Sequence, residues 1–137
     1  MRVSEVMTTA PITLKASSPV SEAARAMREY DVGDVVVRKD GRLRGIVTDR
    51  DIVVRVLAEG KDPKNTSLDD ICTKELIAVT PDQRASDAAQ IMREQAIRRL
   101  LVVKNDQVLG IVSLGDLAVH LDPKSALGNI SAAAANR

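Results

Sequence analysis

The sequence predicts an α+β fold of two β-α-β-β-α repeats, with packed sheets and pseudo-two-fold symmetry. Three observations carry that prediction. The spacing of apolar residues switches repeatedly between helical and strand periods along the chain. At an offset of 65 the chain aligns with itself without a gap, Val6–Val53 on Ile71–Ala118, with about 14 of 48 positions identical, as a duplicated unit would. Apolar residues make up 45% of the 137 residues and charged residues 28%, the proportions of a globular protein, yet each half alone is too short to bury much core.

Met1 to Met7 reads as a short helical turn, with Val3, Val6 and Met7 on one face, and Pro11 then leads into an extended Ile12-Thr13-Leu14. Ser17-Ser18-Pro19 is a helix start. Val20, Ala23, Ala24 and Met27 follow at i, i+3, i+4 and i+7, which predicts an inward stripe with Arg25, Arg28 and Glu29 in water. Val35-Val36-Val37 is a buried strand, Lys39-Asp40-Gly41-Arg42 a hairpin turn, Leu43–Val47 the returning strand, and Asp51–Glu59 a second helix. Gly60–Asp70 connects the repeats and opens a short helix at Thr66–Asp70. The order then restarts: extended Ile77-Ala78-Val79, a helical stripe of Ala85, Ala88, Ala89 and Met92, a hairpin of Leu100–Val103 with Val108–Val112, and a closing helix from Asp116. Boundaries follow at 1–60, 61–70, 71–122 and 123–137. The Ala-rich tail from Ser125 has helix propensity without an apolar stripe, so it is expected to fray or fold against a partner, and it is given no function.

Twenty basic and nineteen acidic side chains leave a formal charge of +1, so no general attraction to nucleic acid or membrane is expected. Tyr30 is the only aromatic residue, which removes the stacking platforms of single-strand binders. Cys72 and His120, one of each kind, allow neither an internal disulfide nor a zinc site of the usual spacing; Cys72 aligns with Met7 and reads as a packed apolar residue. A cytoplasmic protein is expected. No signal-peptide pattern and no apolar run of spanning length is visible, and no glycine loop or nucleophile–base pair suggests an enzyme.

The chemistry-bearing stretch is Gly45-Ile46-Val47-Thr48-Asp49-Arg50-Asp51, which returns as Gly110-Ile111-Val112-Ser113-Leu114-Gly115-Asp116. A hydroxyl residue at a strand-to-helix junction lies near free backbone N–H groups and the positive end of the helix dipole, which favours phosphate. The Asp three residues on can accept both hydroxyl protons of a ribose. The same spacing also approximates a capping box, and the two roles can coexist.

These paired motifs, together with Ser-Glu-Ala-Ala-x-x-Met-Arg-Glu at Ser21 and Ser-Asp-Ala-Ala-x-x-Met-Arg-Glu at Ser86, resemble the cystathionine-β-synthase (CBS) domain. Two in tandem are similar to a CBS pair, or Bateman module, of the small stand-alone bacterial and archaeal kind that includes hypoxic-response proteins. The resemblance implies a non-enzymatic sensor with no required cofactor, binding AMP, ADP, ATP or S-adenosylmethionine as a regulatory ligand and read by an effector protein. It implies a homodimer associating through its helices, where the sequence offers apolar Val53, Val56, Leu57 and Leu117. It also implies crossed clefts. One would join Thr48 and Asp51 to Ile77 and to Arg98, Arg99 and Leu101, with Arg50 and Arg55 nearby to pair phosphate oxygens. The other would join Ser113 and Asp116 to Pro11, Ile12 and Gly33–Val36, where Asp34 stands in place of the basic residue and Gly115 in place of Arg50. Unequal sites are therefore expected, the Thr48/Asp51 cleft taking the adenosine phosphate and the other empty, weak or suited to a less charged adenosyl compound, with aliphatic clamping by Ile77 and Leu101 in the first and by Ile12 and Val36 in the second. Two rivals stay open: an interaction module whose clefts bind nothing, and a nucleic-acid binder using Arg50, Arg55, Arg98 and Arg99 as a local patch.

Overall fold

A computed structural model describes residues 1–133 of the chain. The first half contains α1 (Val3–Val6), β1 (Thr8–Thr9), β2 (Thr13–Lys15), α2 (Val20–Tyr30), β3 (Asp34–Lys39), β4 (Arg42–Thr48) and α3 (Asp49–Ile52), which continues as one π-helical turn, Val53–Leu57. The second contains α4 (Leu68–Ile71), β5 (Ala78–Val79), α5 (Ala85–Gln95), β6 (Arg99–Lys104), β7 (Gln107–Ser113), α6 (Leu114–Leu121) and α7 (Ala126–Ala132). The α+β prediction holds, and both repeats follow the predicted β-α-β-β-α order. Contacts group these elements into two compact units: Pro11–Leu76, and Met1–Ala10 together with the chain from Ile77.

In the Pro11–Leu76 unit, β2 runs parallel to β3, and β3 antiparallel to β4. The hairpin closes on Asp40 and Gly41, whose φ angles of 53° and 75° are the both-positive pair of a type I′ turn, which Asp-Gly adopts readily. A register shift after Val37 bends the strand near that turn. Alternation along β3 and β4 sends Val35, Val37 and Val47 into the core. There they meet Val20, Ala23 and Met27 of α2, Ile52 and Val56 from α3, and Leu68 and Ile71 of α4. Fully burying each such valine or leucine contributes roughly 1.5–3 kcal/mol. The α2 stripe differs from the predicted one in one member: Ala24 is exposed and Ala26 is buried, so the inward face turns to the other side of Met27. Two of the four residues expected to meet a partner copy are core residues: Val56 is fully buried and Leu117 is 4% exposed, whereas Val53 and Leu57 stand open at 54% and 61%.

The other unit has the strand order β1-β7-β6-β5, with the same antiparallel hairpin and a register shift at the corresponding place, after Val102. Its core gathers Ala85, Ala88 and Met92 of α5, Leu100, Val102, Val112, Leu117 and Val79, closed by Val3 and Val6 of α1; Ala89 is half-buried and packs against it. The tail departs from expectation. Ser125 caps α7 through Gly128 N–H at 3.0 Å, and the helix packs on α6 so closely that a Cβ on Gly128 would lie 2.5 Å from Asp122 O and 3.0 Å from Ala118 O. Residues 134–137 of the predicted tail lie outside the described residues.

The compact units run across the sequence repeats, from Pro11 to Leu76 and from Met1 to Ala10 with the chain from Ile77. Each is completed by the stretch that leads, in sequence, into the other repeat. Thr8 and Thr9 add antiparallel to β7, and α1 fills the core beside it. In the Pro11–Leu76 unit, Thr73 bridges Ile46 on β4 through N–H···O bonds of 3.0 and 2.9 Å, and α4 and Cys72 fill the core. Backbone can come this close only over glycine: a Cβ on Gly45 would lie 2.5 Å from Thr73 O, and one on Gly110 2.5 Å from Thr8 O.

Candidate functional site

Strand β4 ends where Thr48 leaves the ladder in extended conformation, φ −107° and ψ 163°, and α3 begins at Asp49. That geometry aims the Thr48 side chain along the new helix. Its Oγ1 accepts the Asp51 N–H at 3.1 Å, and Asp51 Oδ2 accepts the Thr48 N–H at 2.9 Å. Ser113 repeats the arrangement with φ −108° and ψ 164°: Oγ accepts the Asp116 N–H at 3.0 Å, and Asp116 Oδ2 accepts the Ser113 N–H at 3.0 Å. Both motifs are therefore closed capping boxes, each satisfying helix-terminal donors that would otherwise be orphaned. Each box leaves chemistry unspent. The hydroxyl accepts and still has its own proton to give, and the second carboxylate oxygen keeps its lone pairs.

The surroundings of the two boxes differ. Asp51 Oδ1 lies 3.7 Å from Arg55 Nη2, one helical turn on. Arg55 Nη1 donates to Ile71 O at 2.8 Å and to Thr73 Oγ1 at 3.2 Å, so this guanidinium fastens α3 to the segment that completes its unit. Arg55, expected beside the motif as a phosphate-pairing guanidinium, is engaged by these protein partners instead. At Asp116 the corresponding place belongs to a hydroxyl: Thr8 Oγ1 is 3.5 Å from both carboxylate oxygens. Thr8 and Thr73 were absent from the predicted site, although their identity in the two copies was the available signal.

Of the predicted site residues, Thr48, Asp51, Arg50, Ile12 and Val36 belong to the Pro11–Leu76 unit, and Ile77, Arg98, Arg99, Leu101, Ser113 and Asp116 to the other. Within the first, Val36 N–H donates to Ile12 O at 2.8 Å, which sets a half-buried isoleucine beside a fully buried valine one strand from Thr48. Arg50 is exposed, and its guanidinium has no partner among the described residues. Asp34 faces Thr48 across the β3–β4 ladder, so an acid is the direct neighbour of this hydroxyl. Within the second, Arg99 faces Ser113 across β6–β7, Leu101 is buried, Ile77 is 38% exposed and Arg98 is exposed. The Asp49 N–H donates to Gly33 O at 3.0 Å, and the Leu114 N–H to Arg98 O at 2.8 Å, which ties each helix start to the residue before or at its hairpin's entry. Cys72 is 7% exposed in the apolar core, and burial pushes its thiol pKa up, the setting of a packed and unreactive side chain.

Comparison with known proteins agrees with this architecture. A family model described as the CBS domain matches residues 3–58 and 68–122. A CBS domain-containing protein of Bacillus subtilis, YhcV, is 39% identical over 133 residues, 94% of either chain. Hypoxic response protein 1 of Mycobacterium tuberculosis is 34% identical over 103 residues, 74% of this chain and 72% of that one. A crystal structure of hypoxic response protein I with two coordinated zinc ions superimposes with a TM-score of 0.78 and 30% identity, covering 88% of this chain and 99% of the other. A hexameric CBS-CP12 protein from bloom-forming cyanobacteria superimposes with a TM-score of 0.79 and 30% identity, over 90% of this chain and 72% of that one.

Proposed function

The chain belongs to the CBS-domain family, and from that premise we propose that it is a ligand-sensing regulator that holds an adenosine phosphate at the Thr48–Asp51 junction. Pairs of CBS domains are generally regulatory, ligand-binding modules, and stand-alone pairs are typically non-catalytic. The observation that carries the finer reading is the unspent chemistry of the first box. Thr48 keeps a hydroxyl proton for a phosphate or ribose oxygen. Asp51 Oδ1, 3.7 Å from Arg55, accepts ribose hydroxyls, and the Arg50 guanidinium, without a partner among the described residues, pairs phosphate. The Ser113 box has Gly115 in place of Arg50 and a threonine hydroxyl against its carboxylate, so it takes the ligand weakly or not at all.

Regulation requires that ligand favour one state of an assembly over another. The hexameric state of the CBS-CP12 protein supports self-association, and the open Val53 and Leu57 offer an apolar surface for a homodimer. Among the described residues no three His, Cys, Asp or Glu side chains come together as a metal-binding group. One observation favours a second reading, an interaction module without nucleotide, because both boxes are closed caps without any ligand.

A thermal-shift panel of AMP, ADP, ATP, NAD(H) and S-adenosylmethionine separates the two. A ligand at about 100 times its dissociation constant stabilises by roughly 2.7 kcal/mol. A shift in the wild type that Asp51→Ala loses supports the sensor. Silence across the panel leaves the interaction module.

A further inference from the structure

At the hairpin end of the Pro11–Leu76 unit lies an open depression of about 930 Å³, lined among others by Lys15, Ser17, Arg38, Lys39, Ser67 and Asp69. It is a separate place from the Thr48 junction. Thr48 and Arg42 are the two ends of β4, about 20 Å apart at ~3.3 Å per residue.

Two of the cations lining the depression, Lys15 and Arg38, are short of partners. Lys15 sits beside Arg38 across the β2–β3 ladder, and its ammonium has no hydrogen-bond or ion-pair partner among the described residues. Among the described residues the buried Arg38 Nε has no acceptor, and Nη2 reaches only Gly41 O at a long 3.4 Å. A buried guanidinium donor without an acceptor is a costly group that native structures rarely leave so. Asp69 is shared by three cations, Arg44 at 2.6 Å, Lys39 at 3.3 Å and Lys74 at 3.8 Å. Asp40 in the turn is the other acid on the rim. Three cations, Lys15, Arg38 and Lys39, therefore line the depression with two carboxylates, and because Arg44 and Lys74 outside the lining also draw on Asp69, the surplus is positive. Ser67 precedes α4 without capping it, so its hydroxyl is open as well.

Duplication did not produce this cluster in both halves. The positions equivalent to Lys15, Arg38 and Arg44 are Thr80, Val103 and Leu109. Of the cations lining the depression only Lys39 has a cationic counterpart, Lys104, so the cluster as a whole is not repeated.

We propose that this end of the unit binds a chain of two or more phosphates. Guanidinium and ammonium groups with serine hydroxyls are the donor set of phosphate oxygens. The lining cations come from β2 and β3, neighbouring strands about 4.8 Å apart, and the serine hydroxyls from the segments before α2 and α4, a spread wider than one phosphate. The depression has no aromatic wall for a base, and a chain of formal charge +1 with a single aromatic lacks the extended basic, stacking surface of a nucleic-acid binder. The ligand is thus recognised by its phosphates.

The test is a titration of the whole ¹⁵N-labelled chain with tripolyphosphate in about 150 mM salt, followed by amide shifts, with sulfate as the single-anion comparison. The proposal expects shifts at Lys15–Ser17, Arg38–Gly41 and Ser67–Asp69, binding at least tenfold weaker in Lys15→Met, and sulfate at least tenfold weaker than tripolyphosphate. Lys15 is exposed, so that variant keeps the fold; Asp51→Ala binds tripolyphosphate like wild type. Shifts centred on Thr48–Asp51, no effect of Lys15→Met, sulfate equal to tripolyphosphate, or no shifts at all would each overturn it. Loss of the nucleotide response with this one retained would refute only the function proposed for Thr48 and Asp51.

Discussion

Replacing Gly45 by alanine tests the exchange of leading segments between the repeats. The new Cβ would stand 2.5 Å from Thr73 O and 2.9 Å from Cys72 Sγ, and the first contact is with backbone, which cannot rotate away. Relief requires the Thr73 segment to lift off β4. Overpacking of this kind costs about 1–3 kcal/mol. The two Thr73–Ile46 backbone bonds are worth about 1 kcal/mol net apiece. Alanine returns about 0.4–1 kcal/mol by restricting the unfolded chain. The expected destabilisation is therefore about 2–4 kcal/mol, a large part of a typical 5–15 kcal/mol, and a fall in Tm on the order of 10 °C. Urea denaturation with parallel calorimetry measures it. Gly110→Ala should behave alike, because its Cβ would meet Thr8 O at the same 2.5 Å. Gly41→Ala is the control: it has open space around it and incurs only the left-handed strain of φ 75°, about 1 kcal/mol. A Gly45→Ala protein within about 0.5 kcal/mol of wild type would refute the packing argument.

Other perturbations separate the remaining roles. Thr48→Ala should lose about 1 kcal/mol of cap energy in urea denaturation while Thr48→Ser keeps it, since only the hydroxyl accepts the Asp51 N–H. The hydrogen bond from Arg44 holds the Asp69 carboxyl below its ordinary value of about 3.9. Its contribution to stability is thus present above that value and lost as pH falls through the depressed one, so wild type and Asp69→Asn should differ at pH 6 and converge at the acid end of a pH series. Cys72, with its thiol pKa raised by burial, should resist a thiol reagent in the native chain and react once urea unfolds it. Leu57→Glu should shift sedimentation toward monomer, because Leu57 is 61% exposed, whereas Val56→Glu should prevent folding because Val56 is core.

Local chemistry made most of the secondary structure legible. Asp40-Gly41 announces a tight turn, the Thr48 and Ser113 boxes announce helix starts, and the alanine-methionine stripes announce α2 and α5. What local chemistry does not encode is which sheet edge a two-residue strand joins. Thr8-Thr9 and Thr73 carry no hydrophobic pattern of their own, and their placement follows from the glycines opposite them, contacts far apart in sequence. The same holds for Arg55. Its periodicity is that of a surface helix, but a long side chain finds Ile71 O and Thr73 Oγ1 only once the chain has folded back. The tail helix was hidden for a related reason: Gly128 looks like a breaker, yet its missing side chain is what lets α7 close on α6. Val53 and Val56 are both apolar in a helix without a clean stripe, so only the π-helical turn decides that Val56 enters the core while Val53 faces out.

Isothermal titration calorimetry of ATP and AMP into wild type, Asp51→Ala and Asp116→Ala tests the central claim most directly. The unspent Asp51 oxygen, and an Arg50 guanidinium without a partner among the described residues, predict one ligand per chain, bound by wild type and Asp116→Ala with similar affinity and at least tenfold more weakly by Asp51→Ala. Equal binding by all three proteins, or no binding heat in wild type, would contradict it.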